Sequence, residues 1–325
     1  MAIKLGVSHQ TPETLMKERL RYLVAMGVES MEVRMPAVQA TFDGIMAVKQ
    51  KVEAAGIELH EILLNDILEI DAVTLGGAGR DAIMDTFKHF IADLGRAGIK
   101  YTTYAWNTGG KAYETHRTKT RGVPTRRFEL EAALALPNQH DHTFSDEHMW
   151  QTYEAFVKEI LPVAEAADVR LQLHPNDPPV NNRGVARIFR SVNAFRRGME
   201  IGGNSPYNGA LFCVGTFGQM AGPDGLGEDI PAAIREFGAR GLIHLVHLRN
   251  VDNHLPNFDE TFPDNGWIDF LAIADALADI NFEGVIVPDH VPEMPDGLSG
   301  EAYVFGYLRA LIQYIERLKA AARIS

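Results

Sequence analysis

Four residues in the second half of the chain are of types that bind metals, and each closes an apolar run: His174 in LQLHP, Cys213 in ALFCVG, His247 in LIHLVHLRN and Asp289 in GVIVPDH. They lie 39, 34 and 42 residues apart. One eighth of the 325-residue chain is about 41 residues, close to one strand-plus-helix unit. Two imidazoles, a thiolate and a carboxylate can together fill the coordination sphere of a divalent metal. Side chains alternate along a strand, so Gln172 shares a face with His174, Leu211 with Cys213, Leu245 with His247 and Arg249, and Val287 with Asp289. A lone buried cysteine is usually a small hydrophobe, and a lone histidine at a strand end is usually a hydrogen-bonded core residue. Four metal-binding types at four consecutive strand ends form a constellation instead. The thiolate points by softness to zinc, iron or cobalt. If all four ligands bind and substrate takes a further position, manganese, iron or cobalt suits the site better than tetrahedral zinc.

The elements that must position these residues are legible as eight short runs. They are 4–8, 30–35, 56–63, 98–106, 169–175, 209–215, 241–250 and 284–290. Between them lie stretches of helical period. The first has Thr11 as the expected N-cap, Pro12 at the first helical position and Gly27 as its stop. Another has Ser145 as N-cap with Asp146 and Glu147 in its first turn. A last helix is expected near Ala302 to Ala321. Strict alternation of strand and helix, with no break resembling a linker, implies an α/β fold with a parallel sheet. Eight units with candidate ligands at four successive strand ends predict one closed (β/α)8 barrel over residues 1–325, with function at the carboxyl ends of its strands. An open, doubly wound sheet is the other reading. Residues 105–144 depart from the short-loop pattern. Between Ala105 and Phe128 stand Lys111, Arg117, Lys119, Arg121, Arg126 and Arg127 against one acid, Glu114. Such a basic loop could be a lid over an anionic substrate, or a solvated surface or subunit contact.

Composition narrows the classes. A formal charge of −12 argues against nucleic acid and anionic membrane surfaces, which demand clustered lysine and arginine. The single cysteine, Cys213, allows no intrachain disulfide and fits a reducing compartment. The start MAIKLGVSHQ reads as a strand, and no apolar run is long enough to span a bilayer. A cytoplasmic protein is expected.

The residues around the four candidates resemble those of bacterial mannonate dehydratases. HPNDPP (174–179), ALFCVGTFG (210–218), DIPAAIREFG (229–238), IHLVHLRNV (243–251) and VPDH (287–290) follow in that family's order and at similar spacing. The resemblance covers about 170 to 310 well and the first half only through barrel architecture. It implies a xylose-isomerase-like TIM barrel that removes water from a sugar acid, D-mannonate or a related aldonate, to give a 2-keto-3-deoxy acid. It implies Mn2+ held by His174, Cys213, His247 and Asp289, with Fe2+, Co2+ or Zn2+ as alternatives, and a homo-oligomer, a dimer or larger. It implies His290 as an acid/base residue, with Tyr303 the nearest match to a second. Arg249, on the face of His247, could clamp the substrate carboxylate or orient Asp289. Arg117 is another carboxylate-binding candidate, and Asp177 could hold a ligand histidine in its metal-binding tautomer. His9, Glu32, His60 and Glu61 are expected to point toward the barrel mouth. The chain departs from the family pattern at Asn176, at Asp259 and in the stretch VPEMPDGLSGEAY after His290. The rival readings are a sugar isomerase or epimerase on the same barrel, which usually binds metal through several carboxylates, and a sugar-acid-binding barrel without turnover.

Overall fold

The computed structural model describes residues 2–64, 71–107 and 113–323. Its strands are β1 (Lys4–Gln10), β2 (Ser30–Met35), β3 (Glu58–Leu64), β4 (Tyr101–Ala105), β5 (His116–Thr120), β6 (Val123–Glu129), β7 (Arg170–His174), β8 (Asn208–Cys213), β9 (Ile243–Leu248), β10 (Asn250–Val251), β11 (Asn257–Thr261) and β12 (Val285–Pro288). Eight of them close a barrel in the order β1, β12, β9, β8, β7, β4, β3, β2, and every pairing in it is parallel. The expected closed barrel is therefore present, and the open sheet is not.

The helices are α1 (Lys17–Ala25), α2 (Phe42–Glu53), α3 (Asp71–Thr74), α4 (Arg80–Arg96), α5 (Leu130–Leu134), α6 (Asp146–Ala167), α7 (Val192–Ile201), α8 (Val214–Gln219), α9 (Ile230–Ala239), α10 (Phe270–Asp279) and α11 (Ser299–Ala322). Their apolar faces meet the outward faces of the strands in one continuous core. Ser145 caps α6 as expected, accepting from the His148 amide at 3.3 Å. Thr11 does not cap α1. Thr14 donates back to the Thr11 carbonyl through its backbone and its hydroxyl, so residues 11–14 close a turn and the helix starts only at Lys17. No helix among the described residues is long and apolar enough to cross a membrane.

Residues 105–144 are partly folded. β5 and β6 form a hairpin, and β6 pairs antiparallel with β11, which pairs with β10. This four-stranded sheet, the strap, begins with β10 just past the carboxyl end of β9 and reaches the strand ends through Glu260, which pairs with Arg249 and His290. Its arginines pair with acids: Arg117 with Glu114 and Glu293, Arg121 with Asp264, and Arg127 with Glu129 and Asp259. Lys111 lies outside the described residues.

Inside the barrel, Leu211, Cys213, Leu245, Val285 and Val287 form a small apolar cluster of their own. The amino-terminal floor holds rings. The ladders shift register at His60 in β3 and at His244 in β9, each the unpaired residue of a bulge. His60 stacks on Tyr101 with centroids 4.4 Å apart, and Tyr101 lies 5.8 Å from His244. Gly209 leaves room for this arrangement, because a side-chain carbon there would overlap the His244 ring. His60 therefore sits at the end opposite the mouth, not at the mouth as expected.

Burial pushes His60 down to about 4 and, with help from Arg170, His244 down to about 3, from an ordinary value of 6.5. Between those values and 6.5 the unfolded chain binds protons that the folded chain does not. These rings thus contribute stability that is complete above pH 6.5 and is lost as pH falls toward 4 and then 3. Denaturant titrations across pH are expected to show a shallower acid loss for a His60→Gln, His244→Gln variant than for the parent. Equal slopes below pH 6 would mean that the rings are not buried neutral.

Candidate active site

His174 ends β7, Cys213 ends β8, His247 stands one residue from the end of β9, and Asp289 follows β12. The parallel ladder aligns Cys213 with His247, and His247 with Val287. One ligand atom each from His174, Cys213 and His247 lies within 4.8 Å of the others. The His174 Nδ1–H donates to the Pro175 carbonyl at 2.7 Å, which leaves Nε2 with its lone pair. Neither ring nitrogen of His247 has a hydrogen-bond partner, although the residue is 2% exposed. Asp289 adjoins the three: the Cys213 thiol donates to its Oδ2 at 3.3 Å, and its Oδ1 lies 3.8 Å from His247 Nδ1. Orphaned imidazole nitrogens beside a thiol and a carboxylate fit a divalent cation.

The electrostatics agree. Burial lowers His174, keeping it the neutral base that a metal needs. Burial also acts to lower His247, but Cys213, Glu32 and Asp289 outweigh it and push it up to about 9. Burial and then the Asp289 charge push the Cys213 thiol up. These protons are the ones a bound cation would displace.

Arg249 organises the surroundings. Its Nη1 donates to Glu260 Oε1 at 3.0 Å and lies against His290 Nδ1. Its Nη2 donates to Asp177 Oδ2 at 2.5 Å and to Thr216 Oγ1 at 3.0 Å. Its Nε lies 3.5 Å from Asp289 Oδ2. With its amide oriented to suit, Gln219 donates to Asp177 at 3.1 Å and accepts from Arg249 at 2.8 Å. Burial opposes charge on Asp289 and Asp177. His290 and Arg249 nevertheless hold Asp289 well below the ordinary carboxylate range, and Arg249 does most to lower Asp177. The hydrogen bonds of Arg249 go to Glu260, Asp177 and Thr216, and Asp289 stands within ion-pair distance of its Nε. Asp177 likewise meets Arg249, while the tautomer of His174 is set by the Pro175 carbonyl.

His290 Nδ1 lies 2.7 Å from Glu260 Oε1, and its Nε2 lies 3.7 Å from Asp289 Oδ1. Ring centroids place Tyr113 5.5 Å from His290 in an edge contact. A cavity of about 70 Å³ at the mouth is lined by His9, Glu32, Arg34, Tyr113, His174, Asp177, His247, Asp289 and His290, among others. It adjoins an outer vestibule of about 470 Å³ that shares His9, Arg34, Tyr113 and His290 and adds Arg126. Tyr303 does not reach this space. It is half-exposed on α11, edge-on to Phe262. Arg117 is exposed on β5 and held by Glu114 and Glu293. Glu61 lies below the cavity, accepting from Thr103 and Gln172. Tyr113 and Arg34 escaped the sequence reading; no motif marks either.

Two of the three departures lie off the wall of the inner cavity, whereas the stretch after His290 supplies Val291 and Glu293 to the outer vestibule. The buried Asn176 accepts from the Phe189 amide at 2.7 Å and donates to the Trp106 carbonyl at 3.1 Å. A carboxylate could not make the second bond. Asp259 pairs with Arg127 on the strap.

A family model described as D-mannonate dehydratase (UxuA) matches residues 129–323, more than half of the chain. The chain belongs to the mannonate dehydratase family. A mannonate dehydratase of Oceanobacillus iheyensis is 29% identical over 313 residues, covering 85% of this chain and 86% of the relative. The crystal structure of mannonate dehydratase from Streptococcus suis serotype 2 is similar with a TM-score of 0.85 and 26% identity, covering 99% of this chain and 95% of that one. A xylose isomerase domain protein from Planctomyces limnophilus, at 13% identity and a TM-score of 0.67, shares the fold, covering 98% of this chain and 100% of that one. Mannonate dehydratases are hydro-lyases, so this chain is an enzyme of the lyase class.

The Arg249 arrangement depends on Gly215 in α8, where a side-chain carbon would overlap Cγ, Nε and Cδ of Arg249. Arg249 is buried, with Nη1 and Nη2 held by Glu260, Asp177 and Thr216. Gly215→Ala is expected to cost about 1–3 kcal/mol of stability by overpacking and to lower bound metal. Gly306→Ala, in an open stretch of α11 where the added carbon meets nothing, is expected to gain roughly 0.5–1 kcal/mol. Denaturant melts and metal analysis of the two variants check both.

Proposed function

We propose that the protein removes water from D-mannonate or a closely related aldonate, giving a 2-keto-3-deoxy acid. The observation that carries this reading is the cluster of His174, Cys213 and His247, with ligand atoms within 4.8 Å, beside Asp289 and His290 in a chain of this family. We take Asp289 as the fourth ligand and Mn2+ as the metal. A thiolate among imidazole and carboxylate ligands also suits Fe2+, Co2+ or Zn2+. A divalent cation held there supplies Lewis acidity toward a substrate carboxylate and the adjacent hydroxyl, making the C2 proton easier to remove.

The chain's own residues supply the proton transfers. Glu260 accepts from the His290 Nδ1–H and leaves Nε2 to face Asp289 and the cavity. That nitrogen exchanges a proton with substrate. Tyr113 is the second candidate for the proton-transfer pair, in place of Tyr303, because its ring meets both His290 and the cavity. Elimination needs one group to take the C2 proton and another to protonate the departing C3 hydroxyl. Two such groups side by side support that division. The strap above them limits access of bulk water to the cavity.

Metal-loaded protein incubated with a panel of aldonic acids is expected to release a 2-keto-3-deoxy acid. Aldose–ketose interconversion would support the isomerase reading, and binding without product a non-catalytic barrel. Cys213→Ser and His247→Ala are each expected to lower bound metal by tenfold or more at a fixed metal concentration, roughly 1.4 kcal/mol per decade. If both variants hold as much metal as the parent, the ligand assignment is wrong.

A further inference from the structure

An aldonate is an anion, and the carboxylates at the mouth confront it. Glu32, Asp177 and Asp289 all line the inner cavity. A bound metal offsets part of that charge, and a cationic side chain must offset more. The arginines suggested by sequence do not serve. Arg249 is 1% exposed, with its nitrogens set against Glu260, Asp177, Thr216 and Asp289. Arg117 is outside the cavity, paired with two glutamates.

We infer that Arg34 binds the carboxylate of the substrate and thereby selects sugar acids over neutral sugars. This rests on the aldonate reading above. Among the described residues, Arg34 is the one arginine or lysine on the wall of the inner cavity, and it lines the outer vestibule as well. It therefore stands where an entering substrate passes from one space to the other. Its side chain is 30% exposed, against 1% for the Glu32 that holds it. Glu32 engages it through Nε, with Oε1 at 3.3 Å, while the other oxygen of the same carboxylate lies 3.8 Å from His247 Nε2. One buried carboxylate thus ties the guanidinium and a metal-binding imidazole together. A substrate carboxylate reaching the metal meets Arg34 beside it. Arg126 is the competing cation, but it lines the vestibule and not the inner cavity, and it lies 3.6 Å from Glu260.

Arg34 could instead be no more than the counter-ion of Glu32. A readout of substrate charge separates the two roles. Binding of D-mannonate and of the uncharged D-mannonamide is measured on metal-loaded parent, Arg34→Gln, Arg34→Lys and Arg126→Gln, with metal content recorded for each. The parent is expected to prefer the acid by about 10- to 100-fold, as a charge-assisted bond implies. Arg34→Gln is expected to lose that preference, Arg34→Lys to keep part of it, and Arg126→Gln to keep it all. For turnover, Arg34→Gln is expected to raise KM far more than it lowers kcat. An unchanged acid-to-amide ratio in Arg34→Gln overturns the inference, as does a parent without preference. If Arg34→Gln does not fold, an unreduced ratio in Arg34→Lys overturns it equally. A parent that prefers mannonate yet releases no keto acid sinks the dehydratase reading and leaves Arg34 standing.

Discussion

A guanidinium sealed in the interior organises this mouth. Moving a charge of that size out of water costs several kcal/mol even after relaxation, so Arg249 is tolerable only with carboxylates fixed around it. Those carboxylates come from separate segments: Asp177 after β7, Glu260 on β11 of the strap, and Asp289 after β12. Thr216 and Gln219 of α8 complete the set. Four parts of the chain must be in place before the ion pair closes. The loss of any one would leave a buried charge uncompensated, which is far more costly than the loss of a surface pair. The same contacts hold a proposed metal ligand, Asp289, and a proposed proton carrier, His290, against one another. The strap also belongs to the site, since Glu260 reaches both Arg249 and His290 while β11 carries the ladder to β6.

The barrel and the grouping of His174, Cys213 and His247 were legible because each rests on a local rule. Strand alternation put His174, Cys213 and His247 on inward faces, the parallel ladder brought Cys213 and His247 level, and His174 meets them from the end of β7. Residue type did the rest, since imidazoles and a thiol at strand ends are uncommon for packing alone. The helix limits were legible where a side chain closed the cap, as at Ser145. They were misread at Thr11, whose backbone N–H donates to the Thr14 hydroxyl and whose carbonyl accepts from it, closing a turn in place of a helix start.

What stayed hidden depended on contacts between distant segments. The hairpin strand HRTKT carries no apolar alternation, because it lies on a small sheet above the barrel and not in the core. Tyr303 and Tyr113 are equally plain in sequence, yet one faces Phe262 on an outer helix and the other faces His290. His60 is expected at the mouth with His9, Glu32 and Glu61, but the bulge in β3 and the stacking on Tyr101 hold it at the floor. Asn176 looked like a change in chemistry. Its amide instead bridges the Phe189 amide and the Trp106 carbonyl, a structural task that one strand cannot announce.

The mouth's charge is set one layer deeper still. Burial acts against Glu32, but His247, Arg34 and His9 hold its carboxyl well below the ordinary range. Burial and then the Glu32 charge push Glu61 well above it. Two adjoining carboxyls in a dry interior cannot both ionise, and the cations decide which one does. Glu32, facing the cavity, releases its proton the more readily of the two, and Glu61, although it accepts from Thr103 and Gln172, holds its proton the more tightly. Negative charge is therefore favoured at the site over the layer beneath it. A cation entering from above meets its negative partners at the strand ends. The closed interior can thus hold several carboxyl groups while favouring charge where a metal and an anionic substrate would meet.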